Sequence, residues 1–295
     1  MKNCRIIAIG DNVCDKYLSR GKMYPGGQCV NTCVYAAMNG TGAAYLGKYG
    51  NDEVAACVQE TLRTIGIDDS HSRHFEGENG FALVTLKGND RVFLGSNKGG
   101  IAKEHEFDFT EDDLSYIKGF QLIYTNLNSY IEENLSQLQE VGVPIAYDFS
   151  TRWTDEYLAR VCPYVTVAIL SCAHLSEEKR EQEMRKVQSY GVPVVLGTVG
   201  EDGSYVLYRN KILYTQAVYA EDVIDTMGAG DSYFTAFLCS LLESSETGKI
   251  VEGDDERMLE RLQEAMRKGA AFAARVCAIE GAFGYGVPIL GKTEI

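Results

Sequence analysis

The segment from Val223 to Phe237 joins a glycine-rich turn to an apolar stretch with helical character. The turn is Gly228-Ala229-Gly230, and Asp231 follows it directly. Free backbone N–H groups in the first turn of a helix attract an anion, and glycine lets the backbone approach it closely. A carboxylate inside such a site can take a proton from a hydroxyl while the N–H groups stabilise a transferring phosphoryl group. The segment therefore predicts phosphoryl transfer to an alcohol.

Two other kinds of glycine loop are excluded by spacing. The dinucleotide-binding fingerprint needs a third glycine where this chain has Tyr233, and a Walker A loop needs Gly-Lys-Ser/Thr where it has Gly230-Asp231-Ser232. The alternative is an ordinary tight turn in which Asp231 is only an acid in the first turn of a helix.

A second group of polar residues lies near the N-terminus. The apolar run RIIAIG leads into Asp11 and Asp15, and Gly26-Gly27 precede Asn31. In an open α/β sheet, small ligands bind outside the carboxyl ends of the strands. Carboxylates accept hydrogen bonds from a diol, and an amide both donates and accepts them. The group predicts a site for a polyol; the alternative is that the acids are loop or cap residues and the glycines a plain turn.

The elements that position these residues follow an α/β alternation. Charged helical stretches end in Gly142-Val143-Pro144 and in Gly191-Val192-Pro193, and a short apolar run follows each. Glycine suits the residue after a helix, proline prevents continuation, and the apolar run is typical of a buried parallel strand. The pattern predicts helices over 28–39, 131–141, 176–190 and 256–277, and strands over 121–126, 165–170 and 194–199, in repeated βαβ units.

The region 80–95 departs from this alternation. Two β-prone runs flank Gly88-Asn89-Asp90, which predicts an antiparallel hairpin. We expect the N-terminal run 15–25 to pair with it and form a small β lid. No linker separates a second unit, so the chain is interpreted as one domain over 1–295.

Composition restricts the class of function. The 295 residues carry 28 Lys+Arg against 42 Asp+Glu, a net charge of -14, and 45% are hydrophobic. These values are typical of a folded globular protein. The acidic excess argues against binding to nucleic acid or to anionic membranes, both of which require positive charge. The 9 cysteines form no Cys-x-x-Cys pair, and no apolar run is long enough for a signal peptide or membrane span, so we expect a cytoplasmic protein.

Together these motifs resemble the ribokinase-like (PfkB) sugar-kinase family. The family's two signatures read here Gly26-Gly27-Gln28-Cys29-Val30-Asn31 and Asp225-Thr226-Met227-Gly228-Ala229-Gly230-Asp231. The segment Thr198-Val199-Gly200-Glu201-Asp202-Gly203 is similar to the family's nucleotide segment. The resemblance implies a three-layer α/β/α fold with a mostly parallel central sheet and a β lid that closes the site and often dimerises.

The resemblance also implies ATP-dependent phosphorylation of a sugar hydroxyl, with Mg²⁺. Asp231 is then the base, and Gly228, Ala229 and Gly230 form the anion hole. The implied sugar contacts are Asp15, Gly26, Gly27 and Asn31. The nucleotide contacts are Thr198, Gly200, Gly203, Asp225 and Thr226. A monovalent cation such as K⁺ often lies near Asp225 and the 280–284 loop in this family.

Within the family the chain is most similar to kinases of Amadori products such as fructoselysine, phosphorylated at the 6-hydroxyl. The shared features are Gly10-Asp11-Asn12, Asn89-Asp90-Arg91-Val92-Phe93, Asp148-Phe149-Ser150 and Met227. The amino-acid tail of such a sugar would meet Asp11 through its ammonium group and Arg91 through its carboxylate, because an arginine fork binds both oxygens. The alternatives are a kinase of fructose, another ketose or a nucleoside, and a sugar sensor without catalysis.

One departure from the family concerns magnesium. Many relatives carry Asn-x-x-Glu where this chain reads Ser171-Cys172-Ala173-His174. The ion is then held mainly by ATP and water, or by Glu177 or Glu178.

Overall fold

The computed structural model of the protein describes residues 5–87 and 90–294. The strands are β1 (Arg5–Gly10), β2 (Val13–Tyr17), β3 (Lys22–Gly26), β4 (Gly42–Tyr49), β5 (Arg73–His74), β6 (Gly80–Lys87), β7 (Asp90–Ser96), β8 (Leu122–Asn126), β9 (Ile145–Asp148), β10 (Val167–Ser171), β11 (Val194–Thr198), β12 (Ser204–Tyr208), β13 (Lys211–Thr215) and β14 (Val287–Pro288). The helices are α1 (Gln28–Met38), α2 (Glu53–Ile65), α3 (Ile101–Glu104), α4 (Glu111–Ile117), α5 (Leu135–Glu140), α6 (Asp155–Val161), α7 (Glu177–Ser189), α8 (Ala229–Glu243) and α9 (Asp255–Val276).

Nine strands form the large sheet, in the order β13-β12-β11-β10-β9-β8-β1-β4-β5. The strands from β11 to β5 run parallel, and β12 and β13 form an antiparallel edge. As the Gly-Val-Pro marks predict, Gly142 and Gly191 adopt positive φ after their helices, and β9 and β11 follow. The order reverses at β1, where β8 lies on one side and β4 on the other, so the carboxyl ends of β1 and β8 border a crevice suited to a ligand.

Helices cover both faces of this sheet. Alternate residues of β1 point to opposite sides: Ile6 joins a core with α1, α2, α8 and α9, and Ile7 joins a core with α4 to α7. The three-layer arrangement and the mostly parallel sheet predicted from the sequence are confirmed. The predicted helix over 131–141 is shorter than expected, because residues 132–134 form a 3₁₀ turn in which the Asn134 amide donates to Phe107 O.

A smaller sheet packs on the first core, in the order β14-β3-β2-β6-β7. The predicted hairpin is β6 and β7, which are antiparallel, and β2 pairs in parallel with β6. Gly88 and Asn89, the centre of the predicted turn, lie outside the described residues. The small sheet corresponds to the predicted lid and brings β2 and β3 beside the crevice.

Helix α8 begins at Ala229, earlier than the apolar stretch indicates, so Asp231 lies in its first turn. Gly228 precedes it with a φ of 74°, in the left-handed region. A Cβ on Gly228 would lie 2.2 Å from the Tyr35 hydroxyl oxygen, so a side chain does not fit there. Among the helices of the described chain, none is long and apolar enough to cross a membrane.

Candidate active site

The two signature segments meet through one hydrogen bond. The Asn31 Nδ2 group donates to Asp231 Oδ2 at 2.6 Å, joining the first turn of α1 to the first turn of α8. Asn31 is buried and Asp231 is half-buried. Among the described residues, Asn31 Oδ1 is buried with no hydrogen-bond partner. The amide therefore fixes the Asp231 carboxylate and retains an acceptor for a ligand hydroxyl.

The N-terminus of α8 is open to a ligand. No side chain caps it, and its first residues after Gly228 are Ala229 and Gly230, of which Gly230 is exposed. Uncapped N–H groups and the helix dipole favour an anion here. The predicted anion hole thus lies directly beside the Asp231 carboxylate.

Asp15 and Gly26 lie across from this contact, on β2 and β3. A Cβ on Gly26 would lie 3.3 Å from Asp15 Oδ2 and 3.5 Å from Asn31 Oδ1. The Asp15 and Asn31 side chains therefore meet over the α-carbon of Gly26, and glycine keeps the space between them clear. The structure brings together these three predicted sugar contacts.

Asp11 has a different environment from the one expected for a contact with a ligand ammonium group. Its two oxygens accept hydrogen bonds from the backbone N–H groups of Gln28 and Cys29 at 2.9 and 3.0 Å, and from Asn126 Nδ2 at 2.7 Å. The carboxylate caps the start of α1 and ties it to the end of β8. Gly27 lies against it, since a Cβ there would be 2.9 Å from Asp11 Oδ2.

Asp148, at the end of β9, is a carboxyl group that the sequence analysis did not assign to the site. It is 4% exposed, and its oxygens accept hydrogen bonds from Ser150 N at 2.7 Å and Gln28 Nε2 at 2.8 Å. Burial, and then the negative charge of Asp231, raise the pKa of Asp148 to about 8. The raised pKa favours the neutral form of this carboxyl, which reduces charge repulsion with Asp231.

A polar chain runs from Asp148 to the rim of the site. Gln28 Oε1 accepts a hydrogen bond from Asn128 Nδ2 at 2.8 Å, and the guanidinium of Arg152 donates to Asn128 Oδ1. Arg152 is exposed. Sequence reasoning missed this chain as a unit, although Asn128 and Arg152 both follow the ends of strands, which was the available signal.

A cavity of about 320 Å³ lies on the other side of the α8 N-terminus. Its lining includes four of the predicted nucleotide contacts and two anion-hole residues, namely Thr198, Gly200, Gly203, Thr226, Ala229 and Gly230. The apolar residues Val218, Val223, Ala270 and Ala273 line the remainder with others. An apolar slot that ends at an anion-binding helix terminus suits a planar base with attached phosphates.

Asp225, also predicted as a nucleotide contact, is not part of that lining. It is buried, and Asp225 Oδ2 accepts hydrogen bonds from the Tyr17 hydroxyl at 2.8 Å and Gly281 N at 3.2 Å, with Arg20 Nη1 at 3.4 Å. Asp225 Oδ1 accepts a hydrogen bond from Met227 N. The carboxylate thus connects the anion-hole loop to the small sheet and to the C-terminal loop.

Three predictions about charged residues remain open in the structure. Arg91 lies in β7, but its side chain is outside the described residues. Glu177 and Glu178 are exposed in the first turn of α7. The part of the chain that the structure describes contains no group of three or more His, Cys, Asp and Glu side chains able to hold a metal ion.

Comparison with known proteins gives a family and close relatives. The family pattern described as "pfkB family carbohydrate kinase" matches residues 3–284. The chain is 40% identical over 285 residues to the fructosamine kinase FrlD of Bacillus subtilis, covering 96% of this chain and 94% of that one. It is 29% identical over 278 residues to the fructoselysine 6-kinase of Shigella flexneri, covering 94% and 99%.

Solved structures share the fold at low sequence identity. The ribokinase of Arabidopsis thaliana, complexed with ribose and ATP, has a TM-score of 0.75 at 19% identity and covers 96% of this chain and 95% of that one. A fructokinase double mutant from Vibrio cholerae, with fructose, ADP and potassium ion bound, has a TM-score of 0.71 at 21% identity and covers 95% and 94%. The fold is therefore ribokinase-like, as the sequence predicts.

The raised pKa of Asp148 predicts a pH-dependent stability difference. Between the ordinary pKa of 3.8 and about 8, the folded protein holds a proton that the unfolded chain releases. The contribution of this group to the free energy of unfolding therefore falls as pH rises, by up to about 1.4 kcal/mol per pH unit. Asp148→Asn removes the dependence, so its stability relative to wild type should increase with pH across that window in denaturant titrations. The exposed Asp112→Asn variant is the control, and a pH-independent difference for Asp148→Asn would contradict the assignment.

Proposed function

The chain belongs to the pfkB family of carbohydrate kinases and is an ATP-dependent sugar kinase, and we propose that it phosphorylates the 6-hydroxyl of an Amadori product such as fructoselysine. The observation that carries the chemistry is the Asn31–Asp231 hydrogen bond beside the uncapped N-terminus of α8. The relatives named as fructosamine kinase and fructoselysine 6-kinase support this acceptor.

Asp231 is the proposed general base. It accepts the proton of the sugar hydroxyl, while Asn31 holds the carboxylate in place and its unpartnered Oδ1 accepts a hydrogen bond from a neighbouring hydroxyl. Asp15 supplies a further acceptor near the α-carbon of Gly26. The raised pKa of Asp148 favours its neutral form, which reduces charge repulsion with Asp231.

The phosphoryl group is proposed to lie at the start of α8. The N–H groups of Gly228 and Gly230 stabilise the negative charge that develops during transfer, whereas that of Ala229 donates to Thr226 O at 3.3 Å. The cavity beside them accepts the rest of ATP. Mg²⁺ would enter with ATP and shield the charge of its phosphates, since the described residues offer no cluster of metal ligands. Alignment of donor and acceptor is then the main contribution of the fold.

The amino-acid tail of the acceptor requires a cation at the rim of the sugar site. We propose that Arg152 provides it, because its guanidinium is exposed and is oriented by Asn128. Arg91 remains the second candidate for the tail carboxylate. Asp11 accepts three hydrogen bonds within the protein, so we assign it to holding α1 rather than to the tail ammonium group.

Two further properties follow as proposals. Every cysteine in the described part of the chain is a free thiol, which supports a reducing compartment such as the cytoplasm. The edge strand β7 exposes Phe93 and Leu94, by 61% and 50%. Such a strand pairs readily with another copy, so we propose a homodimer through the small sheet.

The base is tested by Asp231→Asn. The variant keeps the backbone amides of α8 but loses the proton acceptor, so kcat should fall by about 10²–10⁴. Circular dichroism and calorimetric ATP binding should match wild type. Near-normal turnover by a folded variant would overturn the role of Asp231.

The acceptor is tested by comparing kcat/KM for fructoselysine and fructose. Wild type should prefer fructoselysine, and Arg152→Ala should lower kcat/KM for fructoselysine by about tenfold or more, with little effect on fructose. The same comparison of kcat/KM values for Arg91→Ala tests Arg91, the second candidate for binding the tail carboxylate. Arg63→Ala, an exposed arginine of α2, is the control.

Two outcomes would contradict this assignment. Equal efficiency on both sugars in wild type would leave a broader sugar kinase. An equal loss on both sugars in Arg152→Ala would place its guanidinium at the phosphoryl group, and the tail would have another partner.

The dimer is tested by sedimentation. Wild type should sediment as a dimer. The Phe93→Glu variant should sediment as a monomer, because dimerisation would bury the charge of the new glutamate at the proposed contact. Ile212→Glu, on the edge strand β13 of the large sheet, is the control. A monomeric wild type would overturn this arrangement.

A further inference from the structure

Hydrogen-bond donors surround Asp225, at the place where the family resemblance implies a monovalent cation. Asp225 Oδ2 faces the Tyr17 hydroxyl, the Gly281 N–H group and the guanidinium of Arg20. A K⁺ ion is bound by oxygen lone pairs, and an oxygen that already accepts from these donors offers it little. The positive charge beside Asp225 comes from the protein itself.

Arg20 reaches this position from the short turn between β2 and β3. Its guanidinium stands 5.2 Å from the centre of the Tyr17 ring, within the range of a cation–π contact. The Arg20 side chain is 20% exposed and that of Asp225 is 3% exposed. An ion pair with one partner so deeply buried is screened little by salt, and loss of the cation would leave Asp225 as an uncompensated buried charge.

Asp225 controls the segment that forms the anion hole. Its side chain accepts a hydrogen bond from the N–H group of Met227, the residue before Gly228. Its own backbone N–H group donates to Cys277 O. The carboxylate also accepts a hydrogen bond from the N–H group of Gly281 in the C-terminal loop. A change in its charge balance is therefore transmitted to the backbone that begins α8.

We propose that Arg20 is a built-in cation: its guanidinium neutralises Asp225 and positions the anion-hole loop, so that the protein needs no monovalent metal ion at this place. Arg20 is a positioning residue, since it acts through Asp225. A second tie between the same parts of the chain runs parallel to it, because Lys22 and the Tyr24 hydroxyl both contact Glu280. The Lys22 and Glu280 side chains are about half-exposed, so water already compensates the charges of this ion pair.

The test compares K⁺ with tetramethylammonium at equal ionic strength. Wild type should keep its kinase rate and its unfolding temperature when K⁺ is replaced. Arg20→Ala should lose about tenfold or more in kcat without K⁺ and regain much of it with K⁺, because the metal ion then fills the vacated charge. K⁺ should also raise the unfolding temperature of Arg20→Ala by about 2–4 °C.

Two further variants separate this role from general destabilisation. Arg20→Lys keeps the charge and should remain active without K⁺. Lys22→Ala removes a neighbouring charge of the same sheet, and its response to K⁺ should match that of wild type. The thermal measurements need no substrate, so they stand even if the acceptor sugar proposed above is wrong.

Three results would overturn the proposal. One is a wild-type rate or unfolding temperature that depends on K⁺. The second is a folded Arg20→Ala protein that K⁺ neither activates nor stabilises. The third is a Lys22→Ala protein that responds to K⁺ as strongly as Arg20→Ala.

Discussion

Crowding of buried carboxyl groups at one edge of the sheet is the constraint on which the site depends. Asp11 follows β1 and Asp148 ends β9, while Asp225 lies in the loop before α8 and Asp231 lies in its first turn. Buried like charges repel and are costly to desolvate. The fold compensates each one differently. Helix amides and Asn126 donate to Asp11, and Arg20 and Tyr17 donate to Asp225. Burial raises the pKa of Asp148, which favours its neutral form. Asp231 is the half-buried group, and it accepts a hydrogen bond from the Asn31 amide beside an open helix terminus.

This division gives each carboxyl group a separate use. Asp11 and Asp225 fix backbone, since they tie α1 to β8 and the anion-hole loop to the small sheet. Asp148 is linked to the rim through Gln28, so this carboxyl also orders the polar wall that ends at Arg152. Environment, and not residue type, decides which of several aspartates can act as a base.

Sequence reasoning succeeded where the signal is local. The Gly-Val-Pro segments predicted strands β9 and β11, and the turn cluster predicted the hairpin of β6 and β7. The glycines before Asp231 predicted an open helix N-terminus. It failed where contacts depend on distant segments. The Arg20–Asp225 pair and the Gln28–Asp148 hydrogen bond join residues far apart in the chain, and neither has a local periodicity or motif. The contacts of Asp11 were missed for the same reason, because Asn126 lies on another strand.

The small sheet links the two halves of the reaction. Strand β2 carries Asp15, a proposed sugar contact, and Tyr17, which donates to Asp225; the two residues are two positions apart on the same face. The turn that follows carries Arg20 to the same carboxylate. A displacement of β2 that moves the sugar contact must therefore also pull on Asp225, and through Met227 on the backbone of the anion hole. If Asp15 binds the sugar as proposed, we expect sugar binding and the placement of the phosphoryl site to be coupled through this strand, with Arg20 contributing to the alignment of donor and acceptor.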